Sequence, residues 1–567
     1  MKKKLLPLTA AALAAVAVLV VISLPPARLS LATPVSDGTV PGIIHVHTNR
    51  SDGRGTPDEV AAAASRAGLK FVVLTDHGDA TRKPDPPVYR SGVLCLDAVE
   101  ISTTGGHYLA LDMPQAPYPL GGEARDVVED VKRLGGFGVV AHPDSPKPAL
   151  SWRAWDTPFD GIEWVNLDTS WRMRVGRSDW RARWNLLAAL VAYPFRPAET
   201  MARLVGGTTL DQGRWNSIAH LRQIVTLAAA DAHARLAFGS VDPGDNSFSL
   251  PIPGYEATFR SLSVHVQLES ALSGDAARDA AAVMHALRRG HAYTAVDGLA
   301  SPPTVRFTAS NQQRSVGEGD VMPEASATLR VSSNAPPSFD TVIWEDDRVL
   351  VSRRDQTDFT LLVDRPAVYR VEIDAPSKDG PLPWVMSNPI YLGLTFPPAP
   401  PRVEPPAPVA HSLFDGRTAS GWRVESDPTS VAALDVAPAT GGGELRMRYG
   451  LSGGTPTGQY VALAVGTPTG EPYDRLTFSA RSERPLRLDL QLRGRSGARW
   501  HRSVYVEQSN RDCVIEVADM VPVGPAPSPR PVLADVRDVL FVIDTTHTKP
   551  GSSGRLWIKS PVLKSSP

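Results

Sequence analysis

Ligand-type side chains stand at the carboxyl end of one apolar run after another in the first three hundred residues. That recurrence constrains the fold of this 567-residue chain more than any other feature. The first run, Ile43-Ile44, leads into His45-Val46-His47-Thr48, with Ser51-Asp52-Gly53 close behind. Two histidines at i, i+2 on a strand point to one face, and Asp52 can bring a carboxylate to the same place. Leu69–Leu74 reads as a buried strand ending in Thr75-Asp76-His77, and a strand region from Gly92 leads to Glu100 and on to His107–Leu111. Phe137–Ala141 ends in His142-Pro143, Gly161–Val165 ends at Asn166, and Ile224–Ala230 ends in Asp231-Ala232-His233.

Helices are expected between these strands. Thr56 is an N-cap, Pro57 takes the first helical position, Glu59 closes a capping box and Gly68 stops the helix. Glu123–Leu134 and Ala277–Arg289 read as amphipathic helices. Alternating strands and helices with functional groups at the strand ends is the layout of a (β/α) barrel, whose site lies at the carboxyl mouth. Imidazole and carboxylate ligands without thiolate suit zinc, manganese or iron. Asp52, Glu100 and Asp231 bring about three negative charges, which more than one divalent ion would exceed, so a site so loaded attracts an anion such as phosphate. Asp76 reads either as a group that orients a histidine or as a turn carboxylate.

His45-Val46-His47-Thr48 with Ser51-Asp52-Gly53, Thr75-Asp76-His77, Val99-Glu100-Ile101-Ser102 with Gly106-His107, His142-Pro143 and Asp231-Ala232-His233 follow one another along the chain. In these motifs and their order, residues 40–300 resemble the PHP (polymerase and histidinol phosphatase) family. The resemblance implies a distorted (β/α)7 barrel holding two or three divalent transition-metal ions and hydrolysing a phosphomonoester or phosphodiester with a metal-bridging hydroxide. Carried over position by position, the metal ligands are His45, His47, Asp52, His77, Glu100, His142, Asp231 and His233. It gives Asp52, His77 and His107 catalytic roles, His107 as a ligand or as a group that contacts the phosphate. Amide or ester hydrolysis at the same site, and a surface or glycan-binding protein with a non-catalytic barrel, are the competing readings.

Lys2-Lys3-Lys4 precedes a stretch without charge from Leu5 to Ala27, and Ser30-Leu31-Ala32 offers small residues for cleavage. Residues 1–32 therefore read as a signal peptide or a signal anchor, and the positive-inside bias places the remainder in the periplasm or outside the cell. Cys95 and Cys513 fall in different expected domains, so no disulfide framework follows. Lysine plus arginine (59) balance aspartate plus glutamate (60), which leaves no electrostatic case for nucleic acid. The partner expected is a small-molecule or glycan-linked phosphoester, with membrane anchorage through the N-terminal segment.

Between Ser151 and Trp215 lies an insertion rich in tryptophan and arginine, in which Trp180–Tyr193 reads as an apolar helix. It reads as a cap supplying phosphate-binding arginines, Arg174 and Arg177 being candidates, or as a packed hairpin with solvated arginines. His291, after the last helix, reads as a packing residue. From about Thr304 short alternating strands replace the βα pattern, giving an Ig-like sandwich over 301–395. A proline-rich linker occupies 396–411. Residues 412–567 read as a jelly-roll-type sandwich that weakly resembles galactose-binding-like modules through Phe414-Asp415-Gly416 and Trp422, which implies carbohydrate contact. Within it, Leu486–Leu492 alternates, with leucines on one face and Arg487, Asp489 and Gln491 on the other. No ligand-type motif lies beyond Pro397, so the chemistry is expected to survive removal of that part.

Overall fold

The computed structural model describes residues 18, 20–32, 38–78, 84–113, 121–176, 178–205, 212–237, 249–378, 380–396, 409–453, 458–468, 473–548 and 550–565. Arg177, the linker prolines Pro397–Pro408 and most of the N-terminal apolar run lie outside them. Among the described residues no helix is long and apolar enough to cross a membrane.

Chain order runs β1 (Thr39–Val46), α1 (Pro57–Ala67), β2 (Phe71–Leu74), β3 (Val93–Asp97), β4 (Val99–Thr103), β5 (Gly106–Leu111), α2 (Ala124–Arg133), β6 (Phe137–Val140) and β7 (Gly161–Asn166). The insertion supplies α3 (Leu167–Val175), α4 (Trp180–Ala192) and α5 (Pro197–Leu204), before β8 (Val225–Ala229), β9 (Ser263–Gln267), α6 (Ala276–Arg289) and β10 (Ala292–Ala295). Local chemistry fixes α1 as its sequence predicts. Thr56 accepts from the Glu59 N–H, Glu59 accepts from the Thr56 N–H, and Gly68 leaves the helix at φ 87°. Such a cap contributes about 1 kcal/mol.

Two sheets enclose the site. In one, β1 pairs parallel with β2 and β2 with β3, while β9 pairs antiparallel with both β1 and β10. In the other the order is β8-β7-β6-β5-β4. Isolated parallel bridges, Val46↔Ala232 and His77↔Glu100, tie the two together. The β/α alternation expected from the sequence is broken at β4 and β5, which pair antiparallel. Only Thr104 and Gly105 connect them, and a parallel crossover needs a dozen residues or more.

Beyond β10 the chain is β-rich, in two sandwich-like units. β11 (Ala367–Ala375) and β12 (Leu382–Ser387) pair antiparallel with each other, and β12 also pairs with β10 through Tyr293↔Ser387. Hydrogen bonding therefore runs across the boundary expected at 300/301. A four-stranded sheet packs on this one around Trp384, Phe339, Tyr369 and Leu329. The C-terminal unit has two six-stranded sheets around a core that includes Leu486, Leu488, Leu490 and Leu492 of β13 (Leu486–Gly494).

The opposite face of β13 is not solvated as its polar side chains suggest. Arg487, Asp489 and Gln491 are also buried: the Arg487 end of this face packs on α2, and Asp489 is bonded to Gln491 and His501 within the C-terminal unit. Arg487 donates to Asp130 at 2.8 Å, and Arg511 donates to the same carboxylate at 3.0 Å. Arg502 of β14 (Arg499–Val506) pairs with Asp126, and Ser503 donates to Glu123. Gly122, at φ 149°, is where the backbones approach; a Cβ there would stand 2.6 Å from Arg487 Cδ. Cys95 and Cys513 are free and buried, and burial pushes each thiol up to about 11.

Candidate metal centre

Backbone irregularity builds this site. The β1–β2 register shifts between Ile43 and Val46, and His45 sits in the shift at φ 61°. This bulge, rather than plain alternation, brings the His45 and His47 Nε2 atoms to 3.1 Å. His142 (φ 27°) and Asp231 (φ 50°) also hold left-handed backbone at strand ends. Each such residue costs on the order of 1–3 kcal/mol and persists only where its surroundings fix it.

Four donor atoms converge at the centre. Around the two Nε2 atoms lie Glu100 Oε2, 3.2 Å from each, and Asp231 Oδ1, 3.4 Å from each. One imidazole nitrogen can donate to or accept from one partner, so hydrogen bonding cannot satisfy this convergence. A cation can. Ligands roughly 2.0–2.1 Å from a tetrahedral ion stand about 3.3 Å apart.

Glu100 is the hub. Its Oε1 accepts from His107 Nδ1 at 2.6 Å and lies 2.8 Å from His142 Nε2, and its Oε2 lies 3.6 Å from His77 Nδ1. Asp52 spans the outer edge, its Oδ1 3.4 Å from His47 Nδ1 and its Oδ2 3.6 Å from His77 Nε2 and 3.3 Å from His233 Nε2. Four overlapping groups able to hold an ion result: His45, Glu100 and His142; His45, His47 and Asp231; His47, Asp52 and His233; His47, His77 and Glu100. Together they can hold two or three divalent ions. His142 Nδ1 is buried without a hydrogen-bond partner. His107 stands apart from the groups, with Nδ1 on Glu100 and Nε2 3.3 Å from Ser102 Oγ.

The floor is closed and the rim open. His45 and His47 are fully buried, whereas Asp52 is 35% and His77 34% exposed. Asp52 reaches the rim because its loop turns back on β1: Gly53 donates its N–H to Thr48 O at 3.0 Å, and a Cβ on Gly53 would lie 2.3 Å from His47 O. Asp76 accepts from the Thr48 N–H and Oγ1, both at 2.7 Å, and from Ser51 Oγ at 2.6 Å. Of its two readings, the turn carboxylate describes these contacts.

Glu163, which the sequence passes over, positions two members of the cluster. His45 Nδ1 donates to its Oε1 at 2.5 Å, which leaves His45 Nε2 free to face the centre. The His142 N–H donates to its Oε2 at 2.5 Å, and Asn166 Nδ2 does so at 2.8 Å. Burial works against every charge here, yet the facing carboxylates raise His47 to about 10 and His142 to about 9. Against the same burial, the imidazoles hold Glu100, Asp52 and Asp231 well below the usual carboxylate range. By themselves these side chains form a mesh of opposite charges that a cation would enter by displacing protons.

A cavity of about 1790 Å³ opens beside the cluster, reaching His142, Asp144, Glu163 and Asn166. Its walls come from α3, α4, α5 and Leu24–Pro26, and carry Arg174, Arg181, Arg196, Arg203 and Lys378. Arg174, a phosphate-binding candidate, also donates to the Leu204 and Val205 carbonyls. His291 lies away from the site, 3.0 Å from Asp320.

No family model matches the chain. An uncharacterised protein of Methanocaldococcus jannaschii is 29% identical over 140 residues, covering 22% of this chain and 80% of its own. Among solved structures, the family 11 carbohydrate-binding module from Clostridium thermocellum, in complex with a β-1,3-1,4-mixed-linked tetrasaccharide, is weakly similar. It aligns with 28% of this chain and 96% of its own, at 14% identity and a TM-score of 0.24. An exo-β-agarase aligns with 28% of this chain and 26% of its own, at 12% identity and a TM-score of 0.21.

Proposed function

We propose that the chain is an exported metal-dependent phosphoesterase whose first three hundred residues form a distorted (β/α)7 barrel of the PHP type. The observation that carries the reading is the gathering of buried imidazole and carboxylate donors, with Glu100 and Asp231 each within 3.4 Å of the facing His45 and His47 nitrogens. Divalent ions bound there would supply Lewis acidity toward a phosphoryl oxygen and lower the pKa of a coordinated water toward neutrality. The chain's own residues do the rest. Glu163 and Glu100 hold the imidazoles in register, and His77, His233 and Asp52 form the open rim of the cluster, where a phosphoryl group would arrive. Asp52 orients both rings from the rim. The cations along the cavity wall favour an anionic substrate. The full set of ligand-type side chains gathered at the cluster favours the hydrolase over the glycan-binding reading.

The test is a screen of phosphomonoesters, phosphodiesters and amides, run with variants of the cluster. His45→Ala, His47→Ala and Asp231→Ala should each lower metal content and phosphoester turnover together, by about a hundredfold or more in rate. Full activity in these variants would refute the proposal. Turnover of amides but no phosphoester would keep the metal site and remove the substrate class.

A further inference from the structure

Helix α4 turns its apolar residues to solvent. Trp180, Trp184, Leu187 and Leu190 are 73%, 45%, 45% and 67% exposed, and their i, i+4, i+7, i+10 spacing makes them one stripe. A globular helix normally buries such a stripe. Phe195, just beyond the helix, is 61% exposed.

The N-terminal segment comes out beside this stripe. Arg196 donates to the Pro25 carbonyl, and Val21–Pro26 share a cavity wall with Ala189 and Ala192 of α4. Val18, Val21 and Ile22 are exposed there. They belong to the uncharged run Leu5–Ala27, which is about as long as a bilayer's hydrocarbon core is thick. Between Trp171 and Val205 the sequence carries seven arginines against Asp179 and Glu199 alone. An apolar stripe with tryptophans, flanked by arginines, is the composition of a helix lying in an anionic lipid interface.

We propose that the α4 stripe and the side chains of Val18, Val21 and Ile22 lie on a bilayer containing anionic lipid, which sets the mouth of the cavity at the membrane surface. The substrate is then a phosphoester carried by an amphiphile, a claim that rests on the phosphoesterase reading. Arg174, Arg181 and Arg196 line the cavity beside Met173, Trp184 and Leu186, a wall suited to both ends of such a molecule.

The experiment uses the full chain reconstituted in vesicles of phosphatidylcholine and phosphatidylglycerol. Leu187→Cys and Leu190→Cys, labelled with an environment-sensitive fluorophore, are compared with Ser496→Cys on an exposed turn of the C-terminal unit. The native cysteines are buried. Spin-labelled lipid should quench positions 187 and 190 severalfold more than 496, and iodide should do the reverse. Equal iodide access at all three positions overturns the proposal. Shielding of 187 and 190 from both quenchers assigns the face to a protein partner and overturns it equally.

A second arm combines Trp180→Ser, Leu187→Ser and Leu190→Ser, none of which lines the cavity. Phosphate release from a lipid phosphomonoester in the same vesicles should fall about tenfold, with turnover of a soluble aryl phosphate unchanged. Unchanged release from the lipid overturns the amphiphile claim. Absence of turnover on either substrate by the unmodified chain removes the phosphoesterase reading, and the amphiphile claim with it. It leaves the membrane contact to the labels.

Discussion

Glu163 carries no signal of its own in the sequence: it is a single carboxylate in the apolar stretch Gly161–Val165. Its part emerges only when β7 lies beside His45 and the loop after β6, because a residue that orients a ligand is defined by its neighbours. The eight ligand-type side chains that gather here were legible as candidates because their motifs recur at strand ends, whereas the left-handed backbone of His45, His142 and Asp231 that aims them was not. Glu163→Gln preserves size and one acceptor but loses the charge that favours the Nδ1–H tautomer of His45. Metal affinity should fall about ten- to a hundredfold while the metal-free protein melts at nearly the same temperature. Competition with a chromophoric chelator measures the first quantity and circular dichroism the second; unchanged affinity would show that His45 needs no such partner.

Among the elements, α1 was fully readable from its caps, since those interactions are local. The docking of β13 and β14 on α2 was not, since it joins residues more than three hundred and fifty positions apart. Alternation in Leu486–Leu492 told which side faces the core but not that the other side is covered as well. Breaking the buried Arg487–Asp130 pair by Asp130→Ala should cost on the order of 3–5 kcal/mol, read by chemical denaturation. A change below about 1 kcal/mol would mean that this docking is not a stabilising contact.

His501, in the same interface, sits 2.8 Å from Asp489 and 3.4 Å from Glu123. Burial opposes its charge, but the Asp489 hydrogen bond and the two carboxylates raise it to about 9. A raised histidine stabilises the folded state fully below the unfolded value of about 6.5, and that contribution is lost as pH climbs from there toward 9. Stability should therefore decline over that interval, and His501→Gln should flatten the decline; an identical slope in both proteins would contradict the assignment.

At the scale of the molecule, the shared sheet from β3 to β11 and the α2 interface make the three parts mechanically dependent. The sequence presents a modular chain because composition and periodicity register a change of pattern, not the hydrogen bonds that cross it. Removing residues 397–567 strips Asp126 of Arg502 and Asp130 of Arg487 and Arg511, leaving Asp130 only Arg133 of its own helix, and uncovers the core around Tyr505. The truncated chain should thus lose stability and soluble yield, in contrast to what the position of the ligand motifs suggests. What all of this surrounds is the cluster, and its metal content tests the account most directly. Elemental analysis of the full chain purified without chelator should find two or three divalent transition-metal ions per molecule. In His47→Ala, which disrupts three of the four ligand groups, it should find fewer than one. Less than one ion in the unmodified protein, or the same content in both, would contradict the account.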